Sequence, residues 1–395
     1  VSFHVLEKPN QSICILSFST ISKDARVLRQ VKYLAEIYPL TVIGYGNSHP
    51  SWERMRVTWS PVVKESSLTR KGFSLLRLAG AKMSVGAYER WYWSFAHHRQ
   101  ALDRAVAAKC KVYHANDVEA LPVAAEAARQ NHAYLVLDAH EYAPLEFENR
   151  WYWRLYQPAT VYLLRKYASQ IAVFTTVCSP LAERYHKEFN LDAQVIMSAP
   201  ELVDLPAVNR ESADIQLIHH GGTIPDRKLE IMIEAMRYCD ERFRLNFMLT
   251  QHDSPYGRYL KRLAGNIAAD RIFFHEPVPP SEIVKRISQY DLGLCIIAPT
   301  NYNYRMSLPN KFFDFIAAGL GICIGPSPAM AEIVNAYGIG CVSPSFSPRD
   351  IAATLNGLTA EKIQMMKDAA RKSAMTFNAD VEMGKLIAAY NKLLT

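Results

Sequence analysis

The chain has 395 residues, more than one hydrophobic core usually holds, so two domains are expected. Apolar residues make up 49% and charged residues 21%, the balance of a soluble globular protein. A formal charge of +7 is too small for this size to mark a dedicated nucleic-acid binder, but it favours anionic substrates or an anionic membrane surface.

No apolar run is long enough for a transmembrane helix, and the first residues show no basic-then-apolar signal segment, so neither is expected. Ser12-Ile13-Cys14-Ile15-Leu16-Ser17-Phe18 is a short apolar run of the kind that forms a buried parallel strand. A polar loop over residues 19–24 follows, and Val27, Val31, Leu34 and Ala35 then keep helical spacing. Residues 40–45 form the next strand. Strand, helix, strand opens a Rossmann-like half, whose ligands bind at the carboxyl ends of the strands. Asp24, Arg26 and Arg29 stand at or near the first such end. Their structural roles would be helix capping by Asp24 and solvated basic positions.

Residues 63–108 are basic and aromatic: Arg70, Lys71, Arg77 and Lys82 alternate with Leu75, Leu76, Leu78 and Met83. Arg90-Trp91-Tyr92-Trp93 follows and returns as Arg150-Trp151-Tyr152-Trp153, without establishing a repeat. A basic amphipathic helix with interfacial aromatics would lie on an anionic membrane. The alternative is that the aromatics pack between helices.

Lys111-Val112-Tyr113-His114-Ala115-Asn116-Asp117 is a strand running into polar residues, with a helix starting near Leu121. Residues 134–141 repeat the design, an apolar strand followed by Asp138, His140 and Glu141. Two strand ends thus bring titratable groups to one crevice. His114, Asp117, His140 and Glu141 are conceivable metal ligands, but zinc sites offer tighter local spacing. Acid–base work or substrate hydrogen bonding suits them better. Capping is the structural alternative for Asp117 and Asp138, and a satisfied buried imidazole that for His140. Further strands are read at residues 171–178 and 194–196, with Ser179-Pro180 opening a helix between them. Residues 201–213 lack a clear period and mark the domain boundary.

The second half restarts the pattern. Residues 215–220 form a strand, Gly221-Gly222-Thr223 a glycine turn, and Arg227-Lys228 lead a helix. Glycine lets backbone approach an anion closely, and Arg227 can take a phosphate in bidentate fashion. Strands follow at residues 245–250, 272–274, 292–297 and 338–342, and residues 360–395 are helical and amphipathic. Within Ser307-Leu308-Pro309-Asn310-Lys311-Phe312-Phe313-Asp314-Phe315-Ile316-Ala317-Ala318-Gly319, Pro309 suits the first helical position and Gly319 the carboxyl cap. The free N–H groups of that first turn and Lys311 suit a phosphate, and Asp314 suits a ribose diol. Solvated pairing of Asp314 with Lys311 is the plainer alternative. The seven cysteines, Cys14, Cys110, Cys178, Cys239, Cys295, Cys323 and Cys341, contain no Cys-x-x-Cys pair and read as small core residues of a reducing cytosol.

Taken together, these segments resemble a GT-B nucleotide-sugar glycosyltransferase, close to the family 4-like bacterial group. Residues 307–319 are similar to that family's Pro-Asn-Lys…Glu-Tyr…Ala-Gly element. Residues 114–121 and 137–141 resemble its His-x-x-Asp…Leu-Pro and Asp-x-His-Glu segments, and Asp24-Ala25-Arg26-Val27 its first-loop Asp-x-Arg-Val. The resemblance implies an α/β chain with two Rossmann-like domains facing across a cleft. It assigns residues 1–200 to the acceptor, residues 201–376 to the nucleotide-sugar donor, and residues 377–395 to a helix returning to the first domain.

The resemblance assigns donor contacts to Arg227, Lys311 and Asp314; Gly221, Gly222, Thr223, Ser307 and Asn310 complete the expected donor site, with the base near Pro277-Val278. Acceptor chemistry falls to Asp24, Asp117, His140 and Glu141. Asp314 stands where the family has the longer Glu, Gly222 replaces a basic residue, Ser198 stands where Asn is common, and Met306 replaces the acid that contacts the donor sugar. No Asp-x-Asp triplet is present, so metal-independent transfer from a UDP- or GDP-sugar is expected, with retention by family analogy. The expected acceptor is a glycan or lipid-linked glycan of bacterial surface polysaccharide synthesis. The expected location is the cytoplasm, at most peripheral to the inner membrane face, with no nucleic acid bound and no cofactor. A sugar-nucleotide 2-epimerase of the same fold and a non-catalytic nucleotide-sugar-binding scaffold are the alternatives.

Overall fold

The computed structural model describes residues 11–64, 78, 86–205 and 214–395. The basic residues Arg70, Lys71, Arg77 and Lys82, and most of the 201–213 boundary, lie outside the described residues. The chain divides into two compact units, Val1–Ile196 with Met383–Thr395, and Met197–Glu382.

The first unit is a parallel sheet of seven strands in the order β3-β2-β1-β4-β5-β6-β7. The strands are β1 (Ile13–Thr20), β2 (Leu40–Tyr45), β3 (Val57–Pro61), β4 (Val112–Asn116), β5 (Tyr134–Ala139), β6 (Ile171–Thr176) and β7 (Ala193–Val195). Between them run α1 (Ala25–Ala35), α2 (Gly86–Tyr92), α3 (Ala96–Ala108), α4 (Asp117–Gln130), α5 (Trp153–Tyr167) and α6 (Ser179–Phe189). Ile13 pairs with Leu40 on one side and Val112 on the other, so the order reverses at β1. Both faces of β1 are covered, which is why its sequence is apolar without alternation. Val27, Val31 and Leu34 of α1 pack on one face with Ile13, Ile15 and Val42.

The second unit repeats the winding with six strands in the order β10-β9-β8-β11-β12-β13. These are β8 (Ile215–Gly222), β9 (Phe243–Thr250), β10 (Ile272–His275), β11 (Leu292–Cys295), β12 (Gly321–Ile324) and β13 (Gly340–Val342). Its helices are α7 (Glu230–Ala235), α8 (Pro255–Ala268), α9 (Ile283–Ile287), α10 (Tyr302–Arg305), α11 (Asn310–Ala317), α12 (Pro328–Tyr337), α13 (Pro348–Asn356), α14 (Ala360–Ala374) and α15 (Ala379–Leu394). Leu217, Leu245, Phe247 and Leu294 form its core with Leu229, Leu260 and Leu355. α15 opens in this unit, and its remainder, from Met383, packs Met383, Leu386 and Tyr390 into the core of the first.

Two Rossmann-like α/β units are therefore present, as the strand–helix alternation predicts. Several local readings change. β3 leaves no apolar run in the sequence, because as an edge strand it is only half-buried. α4 begins at Asp117, not near Leu121, and Pro309 is the cap before α11 with extended backbone, not its first residue. His114 is no strand-end ligand: it lies inside β4, fully buried, its Nδ1 2.5 Å from the Tyr390 hydroxyl. Burial pushes its imidazole down to about 4, so it stays neutral.

The two aromatic tetrads both pack against Tyr156 inside the first unit. Trp91 of α2 lies edge-on to Tyr156 of α5 at 5.6 Å, and the Trp153 indole donates to the Pro144 carbonyl at 2.9 Å. Lys166 pairs with Glu89 at 2.6 Å between the same helices. Of the six tetrad aromatics Trp151 is the exposed one, at 73%. No helix among the described residues is long and apolar enough to cross a membrane. The cysteines are all free thiols, six of them buried.

Candidate functional site

In the second unit the sheet order reverses between β8 and β11, and side chains from both strand ends and from α11 gather there. β8 ends in Gly221 and Gly222, and Gly221 has a φ of +115°, a conformation that side chains rarely adopt. A Cβ built on Gly221 would sit 3.2 Å from the Lys311 Nζ, so the missing side chain is what lets that ammonium lie against the turn. Lys311 is 5% exposed, and its Nζ donates to the His219 Nε2 at 2.9 Å. His219 in turn donates from Nδ1 to the Leu294 carbonyl at 2.7 Å, which bridges β8 to β11 and leaves Nε2 as the acceptor. Burial and the neighbouring Lys311 hold His219 well below the usual imidazole range, so it is a neutral prop.

Arg227 follows the glycine turn on the short 3₁₀ segment Pro225–Arg227, which Thr300 holds by donating to the Asp226 carbonyl at 2.8 Å. Its guanidinium lies 5.8 Å over the Tyr304 ring, and its Nε is buried without a hydrogen-bond partner. Burial, and next the Arg227 charge, push the Lys311 ammonium down to about 7. Two cations thus converge with a neutral imidazole and an aromatic ring for company, an arrangement that an anion would relieve. Asp314, the helical turn after Lys311, has its Oδ2 3.5 Å from the His220 Nε2. The Ser307 Oγ and His220 Nε2 are buried without hydrogen-bond partners. Burial and Lys311 push His220 down to about 3, so it too is neutral.

Gly221, Arg227, Lys311 and Asp314 therefore share one site with the α11 amino end, where Asn310 is exposed. Thr223 is buried and donates to the Thr250 carbonyl, so its hydroxyl braces the turn against β9. Val278, past the end of β10, is linked to this group by no hydrogen bond or ion pair among the described residues. In the sequence His219 and His220 appear only as the end of a strand. Two imidazoles closing an apolar run just before Gly-Gly were the available signal.

The first unit gathers a second group at the ends of β1, β4 and β5. Its hub is Asp138, fully buried. It accepts from Arg26 Nε at 2.7 Å and Nη2 at 2.6 Å, Gln30 at 2.6 Å, Thr175 at 2.6 Å and His140 Nε2 at 3.2 Å. The structural alternatives of a capping Asp138 and a solvated Arg26 are thus not what the structure shows. A carboxylate at the end of a buried strand needs a cation, and Arg26, 5% exposed, supplies it. That pairing holds Asp138 well below the usual carboxylate range despite burial.

His140 bridges Asp138 and Asp117, with its Nδ1 3.4 Å from the Asp117 Oδ2 and its backbone N–H donating to Asp117 Oδ1 at 3.0 Å. Burial opposes charge on this ring, but Asp117 and Asp138 outweigh it and raise His140 to about 9. It is a standing hydrogen-bond donor at neutral pH, which leaves carboxylates as the bases of the group. Asp117 has a φ of +63°, unusual for a non-glycine residue. Asp24 caps α1 by accepting from the Val27 N–H at 3.2 Å and also accepts from Ser19 at 2.9 Å. Glu141 is exposed and faces Glu146, whose carboxyl is raised to about 8 by burial and then by Glu141, Asp117 and Glu119. Nothing in the sequence around Glu146 marked it.

No family model matches the sequence, and no curated protein is similar to it at the level of sequence. Solved structures are similar in fold. HepE of Anabaena in complex with UDP and glucose shares 12% identity at a TM-score of 0.69, over 97% of this chain and 100% of that one. A glycosyltransferase from Rickettsia africae shares 10% at 0.71, over 98% and 99%. An α,α-trehalose 6-phosphate synthase from Burkholderia multivorans shares 11% at 0.65, over 98% and 99%. These neighbours are glycosyltransferases of the GT-B type, and the likeness shows that this chain has the GT-B fold.

Proposed function

We propose that the protein is a metal-independent hexosyltransferase of the family 4-like group, using a nucleotide-sugar donor. The observation that carries this reading is the pair of converging cations, Arg227 and Lys311, at the Gly221 turn and the amino end of α11. A diphosphate fits there: Lys311 and Arg227 meet its charge, and the first-turn N–H groups and the Ser307 hydroxyl meet its remaining oxygens. Asp314 would take the ribose hydroxyls. UDP is the favoured nucleotide, because HepE has been solved with UDP and with UDP-glucose.

In the proposed reaction the bond between the anomeric carbon and the phosphate oxygen breaks, and its electron pair leaves with the diphosphate. The acceptor oxygen bonds to the anomeric carbon. In a retaining, same-face transfer the acceptor proton passes to the leaving phosphate. The first unit would then hold the acceptor, with His140 donating a hydrogen bond to one acceptor hydroxyl and Asp117 or Glu141 accepting from another. In an inverting transfer a carboxylate of that group would take the proton instead. A cytoplasmic role in bacterial surface polysaccharide synthesis, with contact to an anionic membrane surface, is part of the same proposal.

The test is a thermal-shift panel of UDP, GDP, CMP, ADP and dTDP on the native chain and on Asp314→Ala. A nucleotide at about 100-fold its dissociation constant adds about 2.7 kcal/mol of stability. One nucleotide, expected to be UDP, should raise the native midpoint and lose that effect on Asp314→Ala. No shift with any of them would sink the donor site. Label moving from the matching nucleotide sugar to an acceptor then separates a transferase from a 2-epimerase, which needs no acceptor.

A further inference from the structure

The tetrad residue Tyr92, unused by the site above, fixes a second cluster in the first unit. Its ring stacks on His98 at 3.9 Å and 17°, and its carbonyl lies 2.8 Å from the His98 Nδ1. Its hydroxyl donates to the Glu119 carbonyl at 2.6 Å. One residue therefore bolts the first turn of α3 to the first turn of α4. With Nδ1–H donated to a carbonyl, the His98 lone pair is on Nε2, which is buried, without a hydrogen-bond partner, and 3.7 Å from the Glu119 Oε1. His97 lies beside it, ring centroids 4.2 Å apart, with Phe18 edge-on at 5.5 Å. One nitrogen of each imidazole and one oxygen of Glu119 all fall within 4.8 Å of one another.

We infer that His97, His98 and Glu119 form a binding site for a divalent transition metal of the zinc class. The donor set is two imidazoles and one carboxylate, the set that borderline metals such as Zn²⁺ and Co²⁺ accept with a fourth position left to water. Ligand atoms about 2.0–2.1 Å from a tetrahedral metal stand about 3.4 Å apart. The His98–Glu119 edge is close to that already, and the largest separation closes by at most roughly 1.4 Å. The Glu119 side chain is 60% exposed and free to rotate, whereas His98, at 3%, is fixed. The carbonyl that orients His98 is the outer-shell partner that metal-bound imidazoles usually have. Glu119 stands two positions after Asp117, so the metal would lie at the same strand-end edge as the His140 group. The inference rests on this geometry and not on the transferase reading.

The experiment uses the full chain, freed of any purification tag, stripped with a chelator and titrated with Co²⁺. Native protein should develop the visible absorption of four-coordinate Co²⁺, saturate at one equivalent, and lose the signal when Zn²⁺ is added. Glu119→Ala, at an exposed side chain that leaves the fold intact, should weaken Co²⁺ binding by more than the roughly 10- to 100-fold that loss of an outer-shell partner costs, and His98→Ala at least as much. An absent signal in native protein, or a titration unchanged in Glu119→Ala and in a folded His98→Ala, would overturn the site.

Discussion

Lys311 is unfavourable as an ammonium in the empty protein, and under the proposed function it would be stabilised by a bound diphosphate. An ordinary lysine titrates near about 10.4, whereas burial and Arg227 bring this one to about 7. The folded value lies below the unfolded one, so the empty fold binds fewer protons than the unfolded chain between about pH 7 and about pH 10.4. Stability of the empty protein therefore gains from this group as pH rises through that window, and the buried ammonium costs stability below it. A bound diphosphate reverses the preference, since it favours the charged form. Nucleoside diphosphate affinity should then fall, by up to about tenfold per unit, as pH rises above about 7 toward about 9. Lys311→Met should bind weakly with a flat profile, and at about pH 6 it should be at least as stable as native protein when empty. Calorimetric titration with UDP across that range checks the first part and thermal melts the second. A native profile as flat as that of the variant would remove Lys311 from the phosphate site.

At the scale of elements, what the sequence made legible follows from how each segment is buried. β1, β4, β5 and β8 are covered on both faces and read as apolar runs; β3 is covered on neither fully and carried no such signal. The helix at Asn310 was announced by Pro309 and its apolar face, and Gly319, at a φ of +69°, ends it. The grouping of Arg227, Lys311 and Asp314 was legible because each lies beside a local signal, the Gly-Gly turn after a strand or the Pro-led start of a helix. His219 was not, because its function is to hold another residue, and that depends on β11 lying beside β8. The Arg26–Asp138 pair, 112 positions apart, is likewise a product of topology that no local pattern records. The Gly221 turn joins both kinds of information. Gly221→Ala would impose a Cβ at a φ of +115° and 3.2 Å from the Lys311 Nζ. The strain costs about 1–2 kcal/mol, and displacement of Lys311 should weaken UDP more than tenfold. Gly338→Ala, also at positive φ but in open space, is the control for strain alone. Equal UDP affinity in both variants would mean that the Lys311 approach has no part in binding.

On the scale of the whole molecule the two units share one winding order, yet they do not close their cores in the same way. The core of the second unit is built from its own residues, from Leu217 to Ile363 in one cluster and on to the buried Phe377, whose ring meets Phe313. The first borrows from the far end of the chain: Met383, Leu386 and Tyr390 are each 1% exposed within it. The Tyr38 hydroxyl donates to Asn391 at 2.9 Å, and Gln11 donates to the Leu394 carbonyl at 2.8 Å. Burying three such side chains is worth about 5–9 kcal/mol, comparable with the net stability of a whole domain. Removal also strips the Tyr390 hydroxyl from the His114 Nδ1 and opens a cavity under β4. A chain ended at Glu382 should therefore lose the first unit and keep the second. Limited proteolysis should cut within residues 11–196 while a fragment spanning 214–382 survives. Because Gly221, Arg227, Lys311 and Asp314 all belong to the second unit, that fragment should still show the UDP-induced rise in thermal midpoint. A surviving fragment that no longer responds to UDP would mean that donor binding draws on the first unit as well. A first unit that resists proteolysis without its borrowed helix would mean that these three side chains stabilise far less than their burial implies.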